Sequence, residues 1–295
     1  MSKVRTLDLA ELKRHPLPPI AEGDKDSHGK LLVIAGTREI PGAAMITANA
    51  ALRAGAGKIS IATVDSVAPQ LGMAVPEARV MPMPEDRKGG FARSCIAQLA
   101  SHAADYDAVV AGPGMSPTPV ATSLAAELCK TGLPVALDAA LLHGLAPAVH
   151  HARAAYVPPI LLPHAGEMAS LLDCSEEYAE QNQLDCGLQA ARHYEALVLA
   201  KGPKSYVVTP DGEAWKFGGG GPGLGVSGSG DTLAGILGGL LARGAAPSTA
   251  LLWAVWLHGE AGAALATKIG PVGFFAREIS AEVPGLLARA QPSAE

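Results

Sequence analysis

Residues 218–241 read GGGGPGLGVSGSG followed by DTLAGILGGLL, and this stretch indicates the fold. Eight of its first thirteen residues are glycine, and the apolar spacing of a helix begins at Asp231. A glycine-rich turn that enters a helix exposes backbone N–H groups beside the positive end of the helix dipole, where a phosphate is stabilised. The stretch therefore predicts a phosphate site in an α/β fold, with Asp231 at the start of the helix.

Asp231 has two interpretations. Aspartate is among the preferred N-cap residues of helices, so Asp231 could serve only as a cap. A carboxylate beside a bound phosphate could instead accept a proton during phosphoryl transfer. The position of the residue alone does not separate these two roles.

Three other active-site motifs do not fit the positions where each would be expected. Gly57 and Lys58 are followed by Ile59 rather than by Ser or Thr, so no Walker A loop is predicted. The turn over residues 36–42 lacks the GxGxxG pattern of a dinucleotide-binding fold. No hydrolase nucleophile elbow is present in the glycine-rich stretch either. The remaining motif is GxGD at the start of a helix.

The composition excludes several classes of protein. The 295 residues carry 23 Lys and Arg against 28 Asp and Glu, a net charge of −5, without a basic stripe that would attract a nucleic acid. The apolar stretch 251–257 is far shorter than the roughly 20 residues that span a bilayer, and residues 1–13 lack a signal-peptide core. The four cysteines show no CxxC spacing. We therefore expect a cytoplasmic protein with reduced thiols and without nucleic-acid or membrane partners.

Alternation of strand and helix patterns predicts an α/β domain. Unbroken apolar runs, typical of strands buried in a parallel sheet, occupy residues 31–35, 59–64, 107–111, 134–137 and 197–200. Helical spacing is found at 7–14, 43–54, 91–104, 118–130, 165–172, 231–243, 248–267 and 276–290. Residues 206–209 and 213–217 flank the turn signal Pro210-Asp211-Gly212 and predict a β-hairpin. We expect right-handed βαβ units in one domain that spans residues 1–295.

An ordered set of segments resembles one enzyme family. Residues 225–244, GVSGSGDTLAGILGGLLARG, are similar to the C-terminal signature of the ribokinase-like superfamily. Further matching segments are HGKLLVIAG (28–36), PGAAMITANAALRAGAGKISIAT (41–63), DAVVAGPGMS (107–116), LPHAGEMASLL (162–172), LAKGPKSYVVTPDG (199–212) and WLHGEAGAALA (256–266). Together they resemble the ADP-dependent NAD(P)H-hydrate dehydratases.

The resemblance implies a fold and a reaction. The fold is a ribokinase-like three-layer sandwich, in which a mainly parallel central sheet is flanked by helices and the β-hairpin lies in the C-terminal half. The implied core covers about residues 28–290, without a fused epimerase domain. The implied reaction repairs nicotinamide cofactor: hydrated NADH or NADPH is dehydrated to NAD(P)H while ADP gives AMP and phosphate. Phosphorylation of the ring hydroxyl precedes elimination, with Mg²⁺ accompanying ADP, or ATP as an alternative donor. Expected partners are NAD(P)H hydrate, ADP and further copies of the chain, since members often form homo-oligomers, commonly tetramers.

The resemblance also implies roles for individual residues. Asp231 is the catalytic base, and the backbone of Gly228, Ser229 and Gly230 forms an anion hole. The residues implied in nucleotide binding are Lys201, Gly202, Pro203, Lys204, Ser205 and Gly230. Those implied in binding the NAD(P)H hydrate are Ala43, Gly114, His164 and Asp231. No metal ligand is implied, although Asp138 and Glu167 are candidates for outer-sphere contacts with Mg²⁺.

The chain departs from the usual family pattern at three positions, and two alternative functions follow. Ala140 stands where the family usually has the second Asp of Asp-Ala-Asp, Gly221 replaces an Asn, and Leu162 replaces a Thr. One alternative is a ribokinase-like small-molecule kinase, which transfers phosphate without elimination. The other is a catalytically weakened nucleotide-binding protein, which the replacements at Ala140 and Gly221 suggest.

Overall fold

The central sheet is mainly parallel. The computed structural model describes residues 4–19, 23–146 and 157–291, and within these ranges ten strands form one sheet. The strands are β1 Arg5–Thr6, β2 Lys30–Ile34, β3 Lys58–Val64, β4 Arg79–Met83, β5 Ala108–Ala111, β6 Val135–Leu137, β7 Ile160–Leu161, β8 Leu197–Ala200, β9 Ser205–Val208 and β10 Ala214–Phe217. Their order is β1-β10-β9-β8-β7-β6-β5-β2-β3-β4. Strand β9 pairs antiparallel with both β8 and β10, and the other neighbours are parallel.

Helices cover both faces of this sheet. Those in the described ranges are α1 Leu9–Leu12, α2 Gly42–Arg53, α3 Ala68–Ala74, α4 Cys95–Ala103, α5 Pro119–Cys129, α6 Ala165–Leu172, α7 Glu176–Gln181, α8 Gln183–Tyr194, α9 Ser229–Ala242, α10 Pro247–Lys268 and α11 Ala276–Ala290. Successive side chains of a strand point to opposite faces. Accordingly, Leu31 and Val33 of β2 pack in the core with α2, α9, α10 and α11, whereas Leu32 and Ile34 pack with α4, α5, α6 and α8. The expected three-layer α/β sandwich is confirmed.

Most predicted elements are present, and the departures have local causes. The five predicted strands are β2, β3, β5, β6 and β8, and the hairpin is formed by β9 and β10. The prediction that a helix starts at residue 91 is wrong, because α4 begins only at Cys95. Phe91 is instead buried and forms an antiparallel bridge with Glu85, in a turn where the Asp86 side chain accepts from the N–H of Gly90. Strands β1, β4 and β7 and helices α3, α7 and α8 were not predicted.

The N-terminal segment covers an edge of the sheet. Strand β1 pairs with β10, and α1 carries the buried carboxylate of Glu11. This carboxylate accepts a hydrogen bond of 2.9 Å from Trp215 Nε1 and lies within 3.6 Å of cationic nitrogens of Arg5 and Arg14. Burial would raise the pKa of Glu11, but the Trp215 bond and the two arginines outweigh it and lower the pKa. No helix in the described ranges is long and apolar enough to cross a membrane.

Helices α2 and α9 pack with almost no side chains between them. A Cβ atom added to Gly235 would lie 2.2 Å from the carbonyl oxygen of Thr47, and one added to Gly239 would lie 2.5 Å from that of Ala51. Both contacts are with backbone, which cannot rotate away as a side chain can. The glycines of α9 therefore set the distance between the two helices, and this accounts for part of the high glycine content.

Replacing Gly235 by Ala is expected to destabilise the protein, and replacing Gly72 by Ala is expected to stabilise it. The first change drives a methyl group into the Thr47 backbone and forces α2 and α9 apart, at a cost of about 1–3 kcal/mol. The second places alanine in α3, where a Cβ meets only Val80 at 3.9 Å, so the better helix propensity contributes up to about 1 kcal/mol. Urea denaturation of both variants measures the free energies of unfolding. A Gly235→Ala variant as stable as the wild type would contradict this account of the interface.

Candidate functional site

Several parallel strands end at the same edge of the sheet, and the predicted site residues follow these ends. Asp138 comes directly after β6, His164 follows β7, and Lys201 comes directly after β8. Gly112 lies directly after β5, where its φ is +120° and an added Cβ would lie 1.9 Å from the carbonyl oxygen of Asp138. Only glycine allows the ends of β5 and β6 to approach in this way. The sheet thus brings a cation and several polar groups to one edge.

The glycine-rich turn that leads into α9 requires glycine at its last residue. Gly228 is the N-cap of α9 with φ +90°, and an added Cβ would lie 2.9 Å from Ile46 Cδ1 and 3.1 Å from Ala276 Cβ. The buried hydroxyl of Thr232 donates to the carbonyl oxygens of Gly228, at 3.2 Å, and of Ala276, at 3.0 Å. These contacts hold the turn between α2 and α11.

The first turn of α9 offers free donors beside a carboxylate. The N–H of Ser229 donates to Val226 at 3.1 Å and that of Thr232 donates to Gly228 at 3.0 Å. The N–H groups of Gly230 and Asp231, which lie between them, have no acceptor among the described residues. Helix α9 begins at Ser229, so Asp231 is its third residue and not its N-cap, and no side-chain capping bond is formed. The capping interpretation of Asp231 is therefore wrong.

A buried cation lies beside this turn. Lys201 Nζ is 2.8 Å from Asp138 Oδ1 and 3.7 Å from Glu167 Oε2, and all three side chains are largely buried, with exposed fractions of 19%, 4% and 7%. Burial alone would lower the pKa of Lys201, but the carboxylates of Asp138, Glu167 and Asp231 outweigh it and raise the pKa. Lys201 is therefore a permanent cation. A Cβ added to Gly230 would lie 3.7 Å from Lys201 Nζ, so the glycine leaves the ammonium group uncovered on that side.

Asp231 has the protonation behaviour of a base that works near neutral pH. Burial, and then the negative charge of Asp138, raise its pKa to about 6, while Lys201 acts in the opposite direction. No described residue forms a hydrogen bond with its carboxylate, so both oxygens are available to a substrate. A carboxylate with this pKa is largely ionised at pH 7 and yet binds a proton more strongly than an ordinary aspartate does.

His164 caps a helix at the mouth of the same site. Its Nδ1 accepts from the N–H groups of Gly166 and Glu167, at 3.0 and 3.4 Å, and the Glu167 carboxylate accepts from the His164 N–H at 2.8 Å. This reciprocal pair is a capping box at the start of α6. Because Nδ1 accepts, the ring hydrogen is on Nε2. The imidazole is 58% exposed and can contact a ligand as well as cap the helix.

A cavity of about 870 Å³ extends from the Lys201 loop to the glycine-rich turn. Its lining includes the predicted residues Lys201, Gly202, Pro203, Ser205, Ser229, Gly230 and His164. Its apolar wall is formed by Leu199, Phe217, Leu224, Leu233 and Val255. Lys204, Gly228 and Asp231 are not part of the lining, and the last two flank the lining residues Ser229 and Gly230. The cavity has the volume, the apolar surface and the few convergent polar groups that are typical of a small-molecule site.

Ala43 and Gly114 lie outside this cavity but contact each other. Gly114 has φ +66°, and an added Cβ would lie 2.6 Å from Ala43 Cβ and 2.7 Å from the carbonyl oxygen of Ile40. Ala43 belongs to the first turn of α2, and Ile46 one turn later packs against Gly228. The structure therefore brings the two predicted hydrate-binding residues together. It also places α2, the helix of Ala43, beside the start of α9.

The departures from the family pattern have different surroundings. Ala140 is buried in an apolar cluster with Leu141 and Leu142 and does not line the cavity. An aspartate there would enter an apolar core, so Ala140→Asp is not expected to raise activity. Gly221 lines the cavity with φ +72°, and nothing lies within 4 Å of an added Cβ. The cavity is therefore more open at this point than it would be with the usual asparagine.

The cysteines take no part in the site. All four are free, and burial raises the pKa of the Cys129 thiol to about 11. Burial also raises the pKa of the Cys95 and Cys186 thiols. These three thiols are therefore protonated and poorly reactive at neutral pH.

The sequence patterns gave no role to one polar side chain that lines the cavity. His258 lines the cavity and lies 3.0 Å through Nε2 from Ser229 Oγ. It belongs to the segment WLHGEAGAALA, so the signal was present in the sequence. A histidine on an apolar helix 29 residues from Ser229 has no spacing that reveals this contact.

The arrangement fits a magnesium ion that arrives with phosphates. Within the described ranges, no group of three or more His, Cys, Asp or Glu side chains converges to hold a metal ion. Asp138 and Glu167 face Lys201, which already occupies the space between them. Mg²⁺ is commonly held by substrate phosphates, waters and one or two carboxylates rather than by an all-protein cage. The site therefore suits a magnesium ion that is bound to nucleotide phosphates.

Comparisons with known proteins agree with these features. The sequence model of a family described as NAD(P)H-hydrate dehydratase matches residues 31–285. The chain is 44% identical over 287 residues, 97% of each protein, to the ADP-dependent (S)-NAD(P)H-hydrate dehydratase of Xanthomonas campestris pv. campestris. It is similar to the crystal structure of the ADP/ATP-dependent NAD(P)H-hydrate dehydratase of Bacillus subtilis, co-crystallised with ATP and Mg²⁺ (TM-score 0.84, 27% identity, 98% of this chain and 100% of the other). A ribokinase-like superfamily protein of Enterococcus faecalis shares the fold (TM-score 0.80, 23% identity, 98% and 97%).

Proposed function

This chain belongs to the NAD(P)H-hydrate dehydratase family, and from that premise we propose how it acts: it uses ADP to dehydrate the hydrates of NADH and NADPH, with AMP and phosphate as the other products. A dehydratase is a lyase, and the small-molecule kinase alternative is not favoured by the relatives. The observation that supports the proposal most directly is the Asp231 carboxylate, next to the free N–H of Gly230 and to the Lys201 cation. A base, an anion site and a fixed cation are the components that phosphoryl transfer requires.

The first step is transfer of the terminal phosphoryl group of ADP. Asp231 accepts the proton of the ring hydroxyl while the hydroxyl oxygen attacks the β-phosphorus, and AMP leaves with the electrons of the broken P–O bond. The negative charge that develops on the phosphoryl oxygens faces the N–H groups of Gly230 and Asp231 and the ammonium group of Lys201. Mg²⁺ bound to the nucleotide supplies further charge neutralisation.

The second step is elimination. The carbon–oxygen bond of the phosphorylated ring breaks, and phosphate leaves with the bonding electrons. The neighbouring ring carbon loses a proton to solvent as the double bond forms. Phosphate is a far better leaving group than hydroxide, so the nucleotide is consumed to make dehydration possible. The summed reaction converts hydrate and ADP into NAD(P)H, AMP and phosphate.

The two ligands occupy different parts of the site in this proposal. ADP lies in the cavity, where Gly202, Pro203 and Ser205 contact it and the apolar wall receives the base. The hydrate lies towards Ala43 and Gly114, with His164 at the boundary. Lys204, which lies outside the cavity lining, contacts the nucleotide only through its exposed end. The ligands then meet at Asp231.

Purified protein incubated with NADH hydrate and ADP tests the function. The absorbance band of the reduced nicotinamide ring is expected to return, with one AMP and one phosphate formed for each NADH. ATP in place of ADP, and NADPH hydrate in place of NADH hydrate, establish the donor and the substrate preference. A stable phosphorylated product without recovered absorbance would indicate a kinase. Tight binding of both ligands without turnover would indicate the weakened nucleotide-binding protein.

Assembly remains a prediction. We propose a homo-oligomer, with a tetramer as the expected form, and a cytoplasmic location, in which the nicotinamide cofactors that require repair are abundant. Light scattering coupled to gel filtration measures the mass of the particle directly against the 30.0 kDa of one chain.

A further inference from the structure

His258 contacts the first residue of α9 at the wall of the cavity. Its Nε2 lies 3.0 Å from Ser229 Oγ and 3.1 Å from the carbonyl oxygen of the same residue. Both residues line the cavity, and Ser229 is otherwise buried. The reaction described above uses the backbone of this turn but gives His258 no part.

The two acceptors identify the position of the ring hydrogen. A carbonyl oxygen can only accept, so Nε2 carries the hydrogen and donates it. The hydroxyl oxygen of Ser229, Oγ, lies 3.0 Å from Nε2 and shares this donor. The hydroxyl hydrogen of Ser229 is therefore not directed at the ring and is available to a group in the cavity.

The contact with the carbonyl has a second consequence. The carbonyl of Ser229 and the N–H of Gly230 belong to one planar peptide unit, so a bond that fixes one direction also fixes the other. The Gly230 N–H is one of the two donors left free at the start of α9. His258 thus adds to the helical geometry of α9 in fixing the direction of a donor that it does not touch.

The imidazole is neutral when it does this. Burial, together with the nearby Lys201 cation, lowers the pKa of His258 to about 4, although the bond to Ser229 acts in the opposite direction. The ring therefore adds no second cation beside Lys201. It acts as a fixed donor and not as a proton carrier.

We propose that His258 is a positioning residue for phosphoryl transfer, which through Ser229 aims the Gly230 N–H and the Ser229 hydroxyl at the transferred phosphate. This inference rests on the proposed function, because the transferred phosphate is the group that both donors meet. It assigns a role to the histidine of the WLHGEAGAALA segment and makes the Ser229 side chain a direct contact.

His258→Gln and His258→Asn form a matched pair that tests the proposal. The amide nitrogen of glutamine reaches about the position of Nε2, whereas that of asparagine falls short of Ser229. We expect the Gln variant to keep kcat within about threefold of the wild type. We expect the Asn variant to lose about 10- to 100-fold in kcat, somewhat less than the loss of an entire oxyanion-hole donor, with KM for the hydrate unchanged. Thermal melting of both variants separates a loss of fold from a loss of catalysis.

Ser229→Ala completes the experiment. It removes the hydroxyl and keeps the carbonyl, so we expect about a tenfold loss in kcat in the wild type and a smaller loss in the His258→Asn background. Equal kcat values for the Gln and Asn variants would overturn the proposal, and so would independent losses in the double variant. If the Asn variant does not fold, a Ser229→Ala variant with wild-type kcat overturns it.

The activity of the wild type distinguishes failure of the proposed function from failure of the proposal about His258. If the wild type shows no dehydration with either nucleotide, the proposed function fails. The role of His258 is then tested by measuring the affinity for ADP by calorimetry. This affinity should fall about tenfold in the Asn variant and stay unchanged in the Gln variant. Equal affinities would overturn the inference as well.

Discussion

Replacing Asp231 by Asn is expected to lower kcat for hydrate dehydration by about 10²- to 10⁴-fold, because the amide cannot accept the hydroxyl proton. The same change is expected to make the protein more stable at pH 7. The pKa of Asp231 is raised from 3.8 to about 6, so folding opposes ionisation of this group by roughly 3 kcal/mol at most. The neutral amide removes that cost. Steady-state assays and urea denaturation of one protein preparation measure both effects.

The matched control is Asp211→Asn. Asp211 lies in the exposed turn between β9 and β10, so the same chemical change is expected to leave kcat and stability as they are in the wild type. An Asp231→Asn variant that keeps full activity would remove the base from the mechanism. One that loses activity together with its fold would assign Asp231 a structural role instead.

The raised pKa also sets the pH dependence. Asp231 must be ionised to accept a proton, so kcat/KM is expected to fall about tenfold for each pH unit below about 6. The linkage to stability has the opposite sign. A carboxyl group whose folded pKa is raised contributes stability that is fully present below pH 4 and is lost as the pH rises through 6. A profile that stays flat down to pH 4.5 would contradict the assignment.

Replacing Lys201 by Met is expected to abolish detectable activity and to lower the free energy of unfolding by about 3–5 kcal/mol. The methionine has a similar length but leaves the carboxylates of Asp138 and Glu167 buried without their cation. It also removes the positive charge that faces the phosphoryl group. Denaturation curves and ADP titrations measure the two losses separately.

A second change separates these two roles of Lys201. Adding Asp138→Asn to Lys201→Met removes one of the stranded charges, so part of the stability should return while activity should not. Lys204→Met is the control, because this lysine is exposed in the same loop and does not line the cavity. Its stability is expected to stay within about 0.5 kcal/mol of the wild type. A Lys201→Met variant of wild-type stability would show that the ion cluster contributes little to the fold.

The sequence was sufficient to predict the layers of the fold. Strands such as β2 are apolar on both faces, which only a covered parallel sheet requires. The glycines at 228 and 230 lie at the start of an apolar helix, and this pattern is independent of distant contacts. The start of α4 was predicted wrongly, because the helical spacing continues back to Phe91 while a local turn with a bridge to Glu85 holds that residue in another conformation.

Contacts across the sheet were also beyond local patterns. Asp138 and Lys201 are 63 residues apart, and only the neighbouring ends of β6, β7 and β8 bring them to 2.8 Å. The sequence led to the expectation that Lys201 contacts the nucleotide. The structure shows that it also forms ion pairs with two buried carboxylates. The contact of His258 with Ser229 likewise depends on how α10 crosses α9.

The glycine interface between α2 and α9 has a mechanical consequence. Ala43 is proposed to contact the hydrate and Gly230 the nucleotide, and these residues belong to the first turns of the two helices. Backbone lies against backbone further along the pair, so there is no layer of side chains that could compress or slide. The spacing between the proposed sites of the phosphoryl donor, ADP, and of the phosphoryl acceptor, the hydrate hydroxyl, is thus set by the backbone contact of α2 with α9. Because backbone atoms cannot rotate aside, we expect this spacing to stay the same when the ligands bind.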